Sequence, residues 1–195
     1  MAGASRPGNL LPNMEAQPPH LPAELDQILS CSHLAGAPLM WIPSESVPEP
    51  FQHLLVHDHD MTSELAAFHE DSISLQVIHS EQNDHLYLRE VTLHATTKGN
   101  PVEYGLIEIL LDHFPEDLRP RILAGDTPLG AILNSSGLTY HSQPQGFLSV
   151  PTESLKEVFP KSPGGGNLYG RYNHLMRSDD NSCLARIIEI LPSAP

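Results

Sequence analysis

One charged side chain lies on the apolar face of a predicted β-strand. In the alternating segment Leu86–His94, Arg89 shares a face with Tyr87, Val91 and Leu93, because successive side chains of a strand point to opposite sides. An unpaired guanidinium on a core face is costly, so Arg89 needs an anionic partner. The pattern alone favours an internal salt bridge slightly over a bound carboxylate ligand, which the planar guanidinium would hold through two hydrogen bonds.

A carboxylate occupies a similar position near the end of the chain. Glu189 lies on the apolar face of the predicted strand Leu184–Leu191. It could pair with Arg89, hydrogen-bond a ligand hydroxyl, or act as an acid or base with a raised pKa. Glu108, in an earlier strand, is a lesser candidate of the same kind. For both glutamates, a surface position on an edge strand is an equally good interpretation.

Other runs of reactive residues are weaker signals. The His-Asp-His-Asp run at 57–60 lacks a second group of ligands at metal-site spacing, so a solvated surface run is favoured and no metal is expected. The glycine-rich loop at 163–167 lacks the Gly-Lys-Ser/Thr of a phosphate loop. No Gly-x-Ser-x-Gly elbow is present, which argues against a serine hydrolase. Cys31 and Cys183 are expected to be reduced thiols of a cytosolic protein.

Charge and length restrict the partners further. The 195 residues suffice for one domain, and 24 acidic against 10 basic side chains give a net charge of −14. Such a surface repels nucleic acid and anionic lipid, so neither is expected as a partner. The sequence shows neither a signal peptide nor a stretch of apolar residues long enough to span a membrane. The expected partner is a small molecule, and the protein is expected to be a monomer.

Hydrophobic periodicity predicts the elements that must position these side chains. Residues 1–22 form a proline-rich tail that is expected to be flexible, and residues 23–195 form a single domain. Helices are predicted at 22–35, 60–68, 115–123, 127–134 and 151–159. Strands are predicted at 72–80, 86–95, 102–111, 168–176 and 184–191, with a less regular sixth segment at 136–150. The pattern is typical of an α+β fold with a mainly antiparallel sheet.

Several short motifs follow one another in a distinctive order. They are Asp60-Met61-Thr62, the strand Leu88–Leu93, the turn Thr127–Gly130, and the closing segments Leu168–Arg171 and Glu189–Pro192. Each motif is weak alone, but their order over about residues 50–195 resembles the chorismate pyruvate-lyase family. The resemblance implies a six-stranded antiparallel sheet with flanking helices, in which the ligand is buried.

The same resemblance implies an activity and a set of site residues. The reaction would convert chorismate to 4-hydroxybenzoate and pyruvate, as in ubiquinone biosynthesis, with neither a metal nor an organic cofactor. Carried over position by position, Met61, Arg89, Leu129 and Glu189 would line the substrate pocket. Arg89 would hold a carboxylate and, with Glu189, would form the catalytic pair.

The chain departs from the lyase pattern in two ways. Glu189 lies three residues before Pro192 rather than four, and a one-residue slip would place Ile188 in the pocket instead. Tyr172 and Leu106 stand where the lyases carry basic residues. These differences keep a second hypothesis open, that of a non-catalytic protein of the same fold that binds an aromatic acid or a similar small molecule. GntR-type regulators use this fold as a sensing domain, although no helix-turn-helix is visible in the first 50 residues.

Overall fold

A seven-stranded antiparallel sheet forms the centre of the protein. The structure is a computed structural model that describes residues 19–193. Its strands are β1 (Met40–Ile42), β2 (Ile73–Gln82), β3 (Leu86–Ala95), β4 (Pro101–Leu110), β5 (Tyr140–Pro151), β6 (Asn167–Arg177) and β7 (Cys183–Leu191). They are arranged in the order β1-β5-β6-β7-β4-β3-β2. The predicted α+β fold with a mainly antiparallel sheet is confirmed.

Five short helices accompany the sheet. They are α1 (Ala23–Cys31), α2 (Phe51–Leu55), α3 (Met61–His69), α4 (Arg119–Ala124) and α5 (Leu129–Ser136). No helix within residues 19–193 is both long and apolar enough to cross a membrane. Most of the predicted tail lies outside the described residues.

Three elements differ from the sequence-based prediction. The seventh strand, β1, is a three-residue edge strand paired with β5, too short to show an alternating pattern. Helix α2 has only five residues and was not predicted for the same reason. The helix predicted at 151–159 is a single 3₁₀ turn, Thr152–Leu155, that follows directly on β5.

The two faces of the sheet are covered by different parts of the chain. The front face, defined by Arg89, Val91, Ile107 and Ile187 on neighbouring strands, is covered by α2, α3, α4 and α5. The back face carries residues such as Ile188 and is covered by α1. Arg89 and Glu189 both belong to the front face, since each pairs across the sheet with a front-face position.

The start of α3 is tied to α5. The Asp60 carboxylate accepts a hydrogen bond from the Ser63 backbone N–H at 2.9 Å, which caps α3. Its other oxygen accepts one from the Asn134 amide of α5 at 3.3 Å. A β-carbon on Gly130 would lie only 2.7 Å from the Asp60 carboxylate, so the close approach of the two helices requires a glycine there.

Replacing Asp60 with alanine is expected to lower the free energy of unfolding by about 1 kcal/mol, because α3 loses its N-terminal cap. Asp60→Asn is the matched control, since asparagine is an equally good cap and should cost much less. Urea denaturation of the three proteins measures the difference. Equal losses in the two variants would show that the second carboxylate oxygen of Asp60, which accepts from Asn134, contributes more to stability than the cap.

Candidate anion-binding site

A cavity of about 40 Å³ lies between the front face of the sheet and the starts of α3 and α5. The structure brings all four residues of the predicted site to its wall: Met61, Arg89, Leu129 and Glu189. The rest of the lining is largely apolar and comes from β2, β3, β4, β6 and β7 and from the starts of α3 and α5. The cavity is therefore a small, partly open space with a mostly apolar lining that contains a few ionisable groups.

Arg89 is the cationic group of this cavity. Its side chain has no solvent exposure. None of its three guanidinium nitrogens has a hydrogen-bond partner within residues 19–193. The ring of Tyr87 lies 5.7 Å from the guanidinium carbon, a distance at which a cation–π contact operates. Burial lowers the pKa of Arg89. The internal salt bridge that the sequence pattern slightly favoured is not found among the described residues.

Glu189 reaches the cavity but is bound to a different arginine. Its carboxylate accepts a hydrogen bond from Arg171 Nε at 2.5 Å, and both side chains are buried. The two residues are direct neighbours across β6 and β7. Ile188 belongs to the core on the back face, so the alternative placement of Ile188 in the cavity is not what the structure shows.

Arg171 also holds the loop that precedes α3. Its Nη1 donates to the backbone oxygens of Leu55 at 3.1 Å and His57 at 3.2 Å. Sequence reasoning noted Arg171 only as the end of a motif and missed this role. The sequence contains a sign of this role, because Arg171, like Arg89 and Glu189, is a charged residue in a strand whose residues are mostly buried.

Glu103 is a second residue that the sequence analysis missed. It lines the cavity from β4, is almost fully buried, and its Oε2 has no hydrogen-bond partner among the described residues. Burial and the nearby Glu189 charge raise the pKa of Glu103 well above its usual value, against the opposing effect of Arg171. Strand alternation could have found it, since Glu103 shares a face with Gly105 and Ile107.

The start of α5 adds partial positive charge to the same space. Pro128, Leu129 and Gly130 line the cavity and lie at the beginning of this helix. The first amide groups of a helix have no acceptor within it and carry the positive end of the helix dipole. An anion beside Arg89 would therefore have a favourable electrostatic environment on the helix side as well.

Two other candidates from the sequence lie elsewhere. Glu108 is on the back face, where it forms an ion pair with Arg186 at 2.8 Å. The possible ligand atoms of His57, His59 and Glu64 come within 4.8 Å of one another. However, Arg171 Nη1 lies 3.4 Å from His57 Nδ1, and a guanidinium so close opposes a metal cation there. Burial and Arg171 both lower the pKa of His57.

The comparisons with known proteins show similarity of fold only. No protein-family model matches the chain, and no curated protein does. The ligand-binding domain of a protein described as a GntR-family transcriptional regulator from Bordetella bronchiseptica is 11% identical, with a TM-score of 0.45 over 63% of this chain and 86% of that one. PhnF from Mycobacterium smegmatis is 11% identical, with a TM-score of 0.49 over 69% and 64%. Its effector domain is 9% identical, with a TM-score of 0.46 over 69% and 89%.

The prediction of a chorismate pyruvate-lyase is corrected. The similar structures reported above are described as the ligand-binding domain of a transcriptional regulator, as PhnF and as the effector domain of PhnF, and none is described as a lyase. The ion pair with Arg171 also engages the Glu189 carboxylate to which the lyase prediction gave a catalytic role. The predicted enzyme activity, its product 4-hydroxybenzoate and its place in ubiquinone biosynthesis therefore do not stand. The alternative prediction, a non-catalytic binding protein of the same fold, agrees better with these findings.

Proposed function

We propose that this protein is a non-catalytic binding domain for a small carboxylate, with Arg89 as the residue that holds the anion. The observation that carries the proposal is the buried Arg89 guanidinium, which faces a cavity without an acceptor from the described part of the chain. A buried charge needs a partner. A carboxylate offers the two acceptor oxygens that match the guanidinium fork.

The charges around the cavity support a singly charged ligand. Arg171 and Glu189 neutralise each other, and burial favours the neutral form of Glu103. Asp60, the remaining charged residue of the lining, is half-buried and already accepts hydrogen bonds from Ser63 and Asn134. Arg89 is then the one fully buried charge of the described lining without a hydrogen-bond partner, and one carboxylate balances it. This positive charge lies inside a protein of net charge −14, so an anion is attracted by the local charge of Arg89 and not by the overall field of the protein.

The size of the cavity supports a short ligand. A space of about 40 Å³ is roughly three times the minimum that holds one water molecule. A cavity of about 150 Å³ holds benzene, which has as many non-hydrogen atoms as butyrate. This smaller space holds the carboxylate group of a ligand, and a chain of a few carbon atoms enters it only if lining side chains move apart. The chain would contact apolar lining residues such as Val91, Ile107 and Leu129.

Arg89→Met is expected to weaken the binding of butyrate by at least tenfold, because the variant loses the charged hydrogen bonds to the carboxylate. Isothermal titration calorimetry on the full chain measures the affinity. Arg121→Met is the matched control: it removes the same charge from an exposed side chain outside the cavity and should bind butyrate as the unaltered protein does. Unchanged binding in Arg89→Met, or failure of the unaltered protein to bind any short carboxylate, would contradict the proposal.

A further inference from the structure

Arg89 and Glu103 lie at opposite ends of the cavity. Arg89 pairs across the sheet with Ile107, and Glu103 lies four residues before Ile107 on the same face of β4. At about 3.3 Å per residue, the two positions are roughly 13 Å apart along the strand. This separation explains why the two side chains do not form an ion pair, and it makes the cavity polar at both ends.

The surroundings of Glu103 favour a neutral carboxyl group. The charged groups that face it are Glu189 on β7, Arg171 on β6, Arg89 on β3 and Asp60 at the start of α3; β2 and α5 contribute only uncharged residues to the lining. Arg171 is bound to Glu189, and none of its hydrogen bonds within residues 19–193 goes to Glu103. A buried carboxyl group without a contacting cation retains its proton, because the charged form loses its hydration. A neutral carboxyl group has an O–H that can donate a hydrogen bond.

The sheet is closely packed beside this carboxyl group. Gly105 pairs with Val91 on one side and with Glu189 on the other. A β-carbon at this position would lie 3.1 Å from the Val91 side chain and 3.4 Å from Glu103 Oε1. A larger residue at position 105 would crowd Val91 and the Glu103 carboxyl group, so the glycine lets both side chains keep their positions in the cavity wall.

We propose that Glu103 is a specificity-determining residue, which donates a hydrogen bond to an oxygen atom at the end of the ligand that is remote from Arg89. The ligand class is then a short carboxylate with a hydroxyl or carbonyl oxygen at its other end. This inference rests on the proposed function, since it requires that Arg89 hold the carboxylate. A ligand with a methyl group at the remote end leaves the Glu103 hydrogen bond unmade, which is costly in a buried site.

Two acids of the same shape test this inference. Butyrate and 3-hydroxypropionate differ only in a methyl group against a hydroxyl group at the remote end. In calorimetric titrations, the unaltered protein should prefer 3-hydroxypropionate by about tenfold. Glu103→Gln keeps a donor and should retain the preference. Glu103→Leu, which is close in size but apolar, should lose it while still binding butyrate.

The pH dependence of this preference shows whether Glu103 donates the hydrogen bond to the ligand or accepts one from it. The pKa of Glu103 is raised in the folded protein, so its O–H is present below that pKa and is lost as the pH rises through it. The preference for 3-hydroxypropionate should therefore fall with rising pH in the unaltered protein and stay constant in Glu103→Gln. A preference that grows with pH would show that the ligand hydroxyl donates to a charged Glu103, and it would overturn the inference.

The outcomes distinguish the two proposals. If the unaltered protein binds neither acid, the proposed function fails. If it binds both acids equally, and Arg89→Met binds neither, the proposed function stands and the inference about Glu103 is wrong. If Glu103→Leu does not fold, Glu103→Gln is the informative variant. Its preference for 3-hydroxypropionate over butyrate, unchanged with pH, is expected only if residue 103 donates the hydrogen bond.

Discussion

Arg171→Met is expected to lower the free energy of unfolding by about 3 to 5 kcal/mol, the usual cost of removing one partner from a buried ion pair. The variant leaves the Glu189 carboxylate in the protein interior without its cation. It also removes the donor that satisfies the backbone oxygens of Leu55 and His57. Urea denaturation, analysed at equilibrium, measures the loss.

The double variant Arg171→Met with Glu189→Met is the control for this prediction. It removes both charges, so no uncompensated carboxylate remains, and it should be clearly more stable than Arg171→Met alone. The free energy of unfolding that the double variant still lacks, relative to the unaltered protein, measures the cost of the unpaired backbone oxygens in the loop before α3. If the double variant were less stable than the single one, the ion pair would not be the main contribution of Arg171.

Arg89→Met should have the opposite effect and raise the free energy of unfolding by about 2 to 4 kcal/mol in the absence of added carboxylate. The reason is that the protein buries the Arg89 charge without an acceptor of its own, whereas methionine has a similar length and suits an apolar cavity. The same variant loses carboxylate binding, so a gain in stability accompanies a loss of function. Urea denaturation in buffer free of small carboxylates measures the gain.

Arg121→Met is again the control, since it changes the net charge equally at an exposed position and should alter stability by less than about 0.5 kcal/mol. A loss of more than about 1 kcal/mol in Arg89→Met would mean that Arg89 makes a strong stabilising contact within the protein. The proposed function would then lose its main support. Adding butyrate should reduce the difference in the free energy of unfolding between Arg89→Met and the unaltered protein, because a ligand stabilises only the protein that binds it.

Strand alternation predicted which side chains face the cavity. The third strand was predicted with its observed bounds, Leu86–Ala95, and its period of two placed Arg89 correctly on a core face. The same reasoning placed Glu189 among apolar neighbours. The structure brings both residues to one cavity, while their roles in binding stay predictions.

The pairing of the charges could not be predicted in the same way. Alternation shows that a charge lies on a buried face, but the partner depends on the register between strands that are distant in sequence. Arg171 faces Glu189 because β6 and β7 pair in one particular register, and a shift by one residue would put them on opposite faces. Both faces of β4 are buried, with Tyr104 and Leu106 packed on the back face and Glu103 on the front face, so the sequence pattern of this strand does not show which face contains the cavity.

The double use of the Asp60 carboxylate has a consequence for how the protein opens. One oxygen caps α3 and the other accepts from Asn134 in α5, so the same carboxylate stabilises the start of α3 and connects α3 to α5. Asn134 also donates to Ser63 in the first turn of α3, which closes a small ring of hydrogen bonds. Local unfolding of one helix breaks these hydrogen bonds to the other, so we expect the two helices to open as one cooperative unit and their backbone amides to exchange with solvent at similar rates.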